Sequence, residues 1–232
     1  MALSPDPAEA FVREVNEDLR RDQAEQFFKK NMPLIVGGLL LLFAAIAGWF
    51  YWQDRQAKAA AVDSERLSAA MDQIAANRLP AASTQLAPLA DSSSDGVATQ
   101  AKLTQAIVAL EQGKRPAAVS IYRELSQDKG LAQPYRDLAL VRLTALEFDM
   151  IKADEVIARM EPLAKPGNPW FGSAGELRAM AMLKAGRRAE AGQLFAAIAA
   201  DRQAPPTIRS RAVQIAATLG VDASAALPDL SR

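Results

Sequence analysis

The sequence predicts an all-α protein: a single N-terminal transmembrane helix followed by a solenoid of about four helix pairs and a capping helix. Three observations carry this. Pro33 to Trp52 reads PLIVGGLLLLFAAIAGWFYW, without a charge. Downstream, apolar stripes at helical spacing recur at intervals of about 36 residues, a period that belongs to stacked helix pairs. Alanine is abundant and β-branched residues are sparse in the middle of the chain, which favours close-packed helices over sheet. The expected organisation is a cytoplasmic amphipathic helix at 1–31, a membrane span at 32–53, a repeat array at 54–220 and a flexible tail at 221–232.

The chain opens SPDPAE, in which Asp6 suits a helix cap, Pro7 the first helical position and Glu9 the return bond of a capping box. Ala8, Phe11, Val12, Val15 and Leu19 then fall on one side of a helix, opposite Arg13, Glu14, Glu17 and Arg20. Such a helix suits a membrane surface, a partner protein or its own oligomer, and the excess of acidic residues favours a protein contact over the membrane.

The apolar stretch covers roughly 30 Å as a helix, the thickness of a bilayer's hydrocarbon core. Its Leu, Ile, Val and Phe side chains favour insertion by about 3–6 kcal/mol, with no charge to oppose them. Lys29 and Lys30 before it, and Trp49, Tyr51 and Trp52 at its far end, are the residue types that settle at the headgroup level. A cleavable signal peptide has a shorter apolar core that starts nearer the N-terminus, so the stretch is expected to stay as an anchor. Arg13, Arg20, Arg21, Lys29 and Lys30 precede it, against Arg55, Lys58 and Arg66 after it, which places the N-terminus in the cytoplasm and the C-terminal part outside. Gly37, Leu41, Ala44 and Gly48 share one face. That spacing of small residues either reflects ordinary membrane-helix composition or marks a docking face for another membrane helix. After Trp52 the helical pattern continues unbroken toward Asn77.

Composition narrows the chemistry. Lys+Arg and Asp+Glu both number 27, so no basic field exists to attract nucleic acid. The chain has 0 His, which excludes Ser-His-Asp and Cys-His catalysis, histidine-ligated zinc or haem, and a histidine proton switch. With Cys also 0, no disulfide framework holds the outer domain and its core must do so alone.

The repeats are read residue by residue. Leu67, Ala70, Met71, Ile74 and Asn77 correspond to Leu103, Ala106, Ile107, Leu110 and Gly113. Each stripe ends in Asn or Gly, the residues that most readily adopt the left-handed conformation closing a helix. Pro80 and Pro116 then start second helices, where Ala82, Leu86 and Leu89 correspond to Ala118, Tyr122 and Leu125. A small residue followed by bulky ones at +4 and +7 lets the second helix lie close against the first. A third copy follows Leu138, Val141 and Ala145 with Ala153, Ile157 and Met160. There Phe148 stands where the glycine is expected, so that turn must differ. A fourth has Ala179, Met180, Leu183 and Gly186, then Ala191, Phe195 and Ile198, with Glu176 breaking its stripe. Pro205-Pro206 opens a capping helix with Ile208, Ala212, Ile215 and Leu219, ending at Gly220.

Acid pairs such as Glu147/Asp149 and Asp154/Glu155 have no basic or hydroxyl partner at a telling spacing and read as solvated positions. No Gly-rich phosphate loop appears. Trp170-Phe171 either packs as a helix start on the preceding pair or anchors a client or partner. No cofactor, metal or small-molecule substrate is expected, and an enzyme is disfavoured by the residue inventory.

The Gly-then-Ala-then-aromatic rhythm of Gly113, Ala118, Tyr122 and of Gly186, Ala191, Phe195 resembles tetratricopeptide repeats, without that family's early tryptophan. The order of QFFKKN, a glycine-bearing span closing on GWFYWQ, and an alanine-rich array is similar to the YfgM-like family, ancillary subunits of the SecYEG translocon in Gram-negative bacteria; EPLAKPGNP at 161–169 resembles that family's inter-repeat loop. The resemblance implies an inner-membrane protein with a periplasmic repeat domain. Its partners would be Sec translocon subunits, a membrane-anchored periplasmic chaperone and newly exported clients. The family has no catalytic residues to carry over. The other reading is a signalling or envelope-assembly scaffold whose N-terminal helix binds a cytoplasmic regulator.

Overall fold

A computed structural model describes residues 7–223, and the side chains of residues 20, 21, 25, 29–34 and 36–223. The described chain is helical, with no strand among the described residues. Its helices are α1 (Pro7–Ala75), α2 (Leu79–Leu86), α3 (Asp95–Glu111), α4 (Arg115–Gln127), α5 (Gln133–Glu147), α6 (Ala153–Met160), α7 (Phe171–Lys184), α8 (Arg188–Ala200) and α9 (Pro206–Thr218). The chain divides into two compact units, Met1–Ala59 and Ala60–Arg232. That boundary lies inside α1, and residues 54–59 before it are exposed.

In the N-terminal unit the short amphipathic helix is not a separate element: α1 runs unbroken from Pro7, with Pro33 inside it. The stripe from Ala8 to Leu19 lies outside the described side chains. Lys29 pairs with Glu25 at 2.6 Å, one helical turn back. The apolar window buries none of its residues inside the protein, whereas a core helix would, and it is long and apolar enough to cross a membrane. A Cβ added to Gly37 or Gly48 would meet nothing within 4 Å. At the far end the Trp49 and Trp52 rings lie 5.9 Å apart, and the Arg55 guanidinium sits 5.3 Å above the Tyr51 ring.

In the second unit three turns between first and second helices, and the turn that ends α9, decide the register. Asn77, Gly113, Gly186 and Gly220 have φ of 57°, 73°, 78° and 84°. In each, two backbone N–H groups reach back into the helix, as Lys114 N donates to Ala109 O at 2.7 Å and Gly113 N to Leu110 O at 2.9 Å. This double closure satisfies carbonyls the helix end would otherwise leave bare. The turn after α5 is built differently. Phe148 stays right-handed at φ −51°, so the carbonyls there take donors from elsewhere. Met150 N and Ile151 N donate to Glu147 O, Lys184 Nζ from α7 to Phe148 O at 3.3 Å, and an Arg115 guanidinium from α4 to Leu146 O.

The second helices bury the small-then-bulky pattern. Ala82, Ala118 and Ala191 are fully covered, as are Leu86 and Phe195, while Tyr122 and Ile157 are nearly so. Ala153 is half-buried. The first of these helices is shorter than its spacing implied: α2 ends at Leu86 and a 3-10 turn runs Ala87–Asp91. Pro88 has no N–H to give the preceding turn, so the α-helical ladder stops there, yet the tighter turn still buries Leu89.

Three apolar clusters follow one another along the array. One joins Ala70 to Leu86, Leu89 and Ala101; a second joins Leu103 and Ala106 to Tyr122 and Leu143; the third and largest runs from Val141 through Phe171 and Phe195 to Val213. The flexible tail expected from Val221 needs correcting. Ala223 is buried, and a Cβ on Gly192 would come within 2.9 Å of Val221 Cγ2, so the chain still packs on α8 after Gly220. Residues 224–232 lie outside the described residues.

Candidate interaction surface

The first helices present the feature most suited to recognition. Met71, Ile107 and Met180 stand at one register position of α1, α3 and α7, and all three are exposed, between 41 and 49%. Met71, Ile107 and Met180 fit the spacing of the apolar stripes. The structure turns them outward, since Ala70 and Ala106 beside them already fill the contact with the second helix. Arg142 holds the same register position on α5 and is exposed. The Ala60–Arg232 unit thus leaves a column of two methionines, an isoleucine and an arginine uncovered at intervals of one repeat. Methionine is flexible and polarizable, and suits surfaces that accept varied apolar partners.

The proposed anchor at Trp170-Phe171 is corrected by the same measure. Phe171 is one of the largest fully buried side chains, and Trp170 packs against the third cluster. Gly167, at φ 86°, turns the chain, and Asn168 Oδ1 accepts from Trp170 N at 2.8 Å, so the loop directs the pair inward. Leu163 and Ala164 from the same loop are buried beside them.

Glu147 is the polar residue whose place the sequence misjudged. It is 7% exposed and sits between two guanidiniums, Arg123 of α4 and Arg159 of α6, the latter at 2.7 Å. Burial alone would raise its carboxyl, but the hydrogen bonds from Arg159 and Arg123 outweigh that and hold it below the usual carboxylate range. Arg159 also reaches Glu155 at 2.6 Å, so four charges alternate in sign along a cleft of about 410 Å³ lined by Leu140, Leu143 and Ile151. The partners lie 24 and 12 residues away, which is why spacing along the chain did not reveal them. With its charges mutually paired, the cluster joins three helices. Among the described residues no group of His, Cys, Asp and Glu is arranged to hold a metal.

Glu176, which interrupts the fourth stripe, is likewise explained by a distant partner. Arg211 of α9 binds both its carboxylate oxygens, Nη2 at 2.7 Å from Oε2, so the polar residue ties the capping helix to α7.

These helix pairs, with second helices set close by alanine and turns closed by left-handed residues, define a helical-repeat array with an exposed face on its first helices. The chain belongs to the tetratricopeptide repeat-like domain family, whose profile it matches over residues 25–217. Neither the curated proteins nor the solved structures include a match to the chain. Domains of this kind are protein-interaction modules, generally without enzymatic activity.

Proposed function

We propose that the protein is a membrane-anchored adaptor that holds polypeptide segments on the first-helix face of its repeat array, beside the Sec translocon. The observation that carries the binding role is the exposed column Met71, Ile107 and Met180, with Arg142 in the same register. Exposed large apolar side chains repeated at one position of successive helices suit an extended segment of varied sequence. The apolar window of α1, with Trp49, Tyr51 and Trp52 at one end and Lys29 and Lys30 at the other, supports the anchor. Its lysine and arginine bias supports a cytoplasmic N-terminus, and the similarity to the YfgM-like family supports a periplasmic array in a bacterial inner membrane. Gly37, Leu41, Ala44 and Gly48 are the face proposed to meet another membrane helix. The layout similar to the YfgM-like family supports the translocon and a membrane-anchored chaperone as partners.

Native complexes purified in mild detergent test the assignment. Translocon and chaperone subunits should co-purify, and a cytoplasmic regulator in their place would move the reading to a signalling scaffold. A reporter fused after Arg232 should be active only outside the cytoplasm. Replacing Met71, Ile107 and Met180 together by serine should leave the helical content intact while weakening capture of unfolded model clients by about tenfold or more. Unchanged capture removes the binding face from this reading.

A further inference from the structure

The two edges of the array differ in charge. The turns that follow first helices carry Arg78, Lys114, Arg115, Lys152, Arg187 and Arg188 against Asp149 and Asp154. The loops that lead from one pair to the next carry Asp91, Asp95, Asp128, Glu161 and Asp201 against Lys129, Lys165 and Arg202. Part of the first pattern is local: cations are favoured where a helix ends, and Arg187 pairs with Glu190. The rest is not absorbed in this way. Lys114, Lys152 and Arg188, in three successive turns, are exposed and make no ion pair among the described residues. Among the described residues the Arg78 side chain, in the turn before them, donates only to the neutral amide of Gln73, at 2.7 Å. On the same edge Met150 is 74% exposed, more than any other large apolar side chain of the Ala60–Arg232 unit among the described residues.

We infer that this turn edge docks an acidic polypeptide segment that also presents an apolar residue to Met150. Each turn offers a cation without an ion pair among the described residues, and the turns recur once per helix pair. An extended chain rises about 3.3 Å per residue, so carboxylates at every third position recur about every 10 Å along the edge and are on hand for the cations of successive turns. The exposed methionine between Lys114 and Arg188 favours a polypeptide over a lipid headgroup, because a bare charge lattice needs no apolar contact. This edge is separate from the first-helix face. It consists of turn residues and the first residues of second helices, whereas the column of Met71, Ile107 and Met180 lies in the first helices.

The test uses the full chain in nanodiscs of neutral lipid and a fluorescein-labelled peptide of Ser and Leu with Glu at every third position. At low salt the peptide should bind, and binding should weaken steadily as salt rises. The triple variant K114E/K152E/R188E should weaken it by about tenfold or more, and the milder K114Q/K152Q/R188Q by less. M150S should weaken it by about threefold. K129E/K165E/R202E, on the opposite edge, should leave it unchanged, as should serine at Met71, Ile107 and Met180. The inference is overturned if a lysine version of the peptide binds as well, or if the two charge-reversal triples behave alike. It is overturned equally if the turn-edge triple alters only binding to anionic vesicles, which would make the edge a lipid contact.

Discussion

Glu147 shows how one side chain ties three helices and makes the array sensitive to acid. Its carboxylate takes a guanidinium from α4 and another from α6, and those bonds hold it charged below the usual range despite its burial. A carboxyl depressed in the folded state contributes stability that is fully present above its unfolded value, about 4.3, and is lost as pH falls through the folded value. Denaturant unfolding should therefore show stability declining below about pH 5. Glu147→Gln should cost about 1–3 kcal/mol at neutral pH, because two guanidiniums lose their counter-charge. It should also flatten the acid limb of the profile. An acid limb as steep in the variant as in the parent would mean that other carboxylates set it.

At the scale of elements, two close approaches in α7 separate backbone from side-chain constraint. A Cβ on Gly172 would stand 3.0 Å from Ala204 Cβ and 3.6 Å from Ala204 Cα, atoms that cannot move without shifting the chain between α8 and α9. A Cβ on Gly175 would also meet an atom at 3.0 Å, but that atom is the Cδ1 end of Ile198, which a rotamer change can move. Both substitutions gain helix propensity, about 1 kcal/mol. Gly172→Ala should still lose about 1–3 kcal/mol through overpacking, whereas Gly175→Ala should be near neutral, as measured by thermal unfolding of the full chain in detergent. Equal effects would show that the contact at residue 204 yields as easily as the isoleucine tip.

At the scale of the whole molecule, the second unit has no single centre. Its three apolar clusters follow the order of the helix pairs, as expected when each repeat packs mainly on its neighbours. The last cluster needs α9, whose Ala212, Val213 and Ala216 are buried and whose Arg211 reaches Glu176. Ending the chain after Ala204 should strip hydrogen-exchange protection from α7 and α8, while α3 and α4 keep most of theirs. Uniform loss across all helices would instead identify one cooperative core.

The residues that specify this protein's helices act at short range, and those could be read from the chain. Asn77, Gly113, Gly186 and Gly220 end helices through local backbone geometry, and the alanine before each bulky pair sets how near a second helix lies. The uncharged run from Pro33 to Trp52 declares its solvent preference without reference to any neighbour. Spacing alone, however, could not tell Ala106 from Ile107, or Phe171 from an exposed anchor, because periodicity locates a face only to within a residue or so. The pairings of Glu147 and Glu176, the rightward turn at Phe148 and the seat of Val221 on Gly192 join positions far apart in the chain. Such contacts are set by which helices pack together, a choice made by the folded arrangement as a whole and written in no local stretch of the sequence.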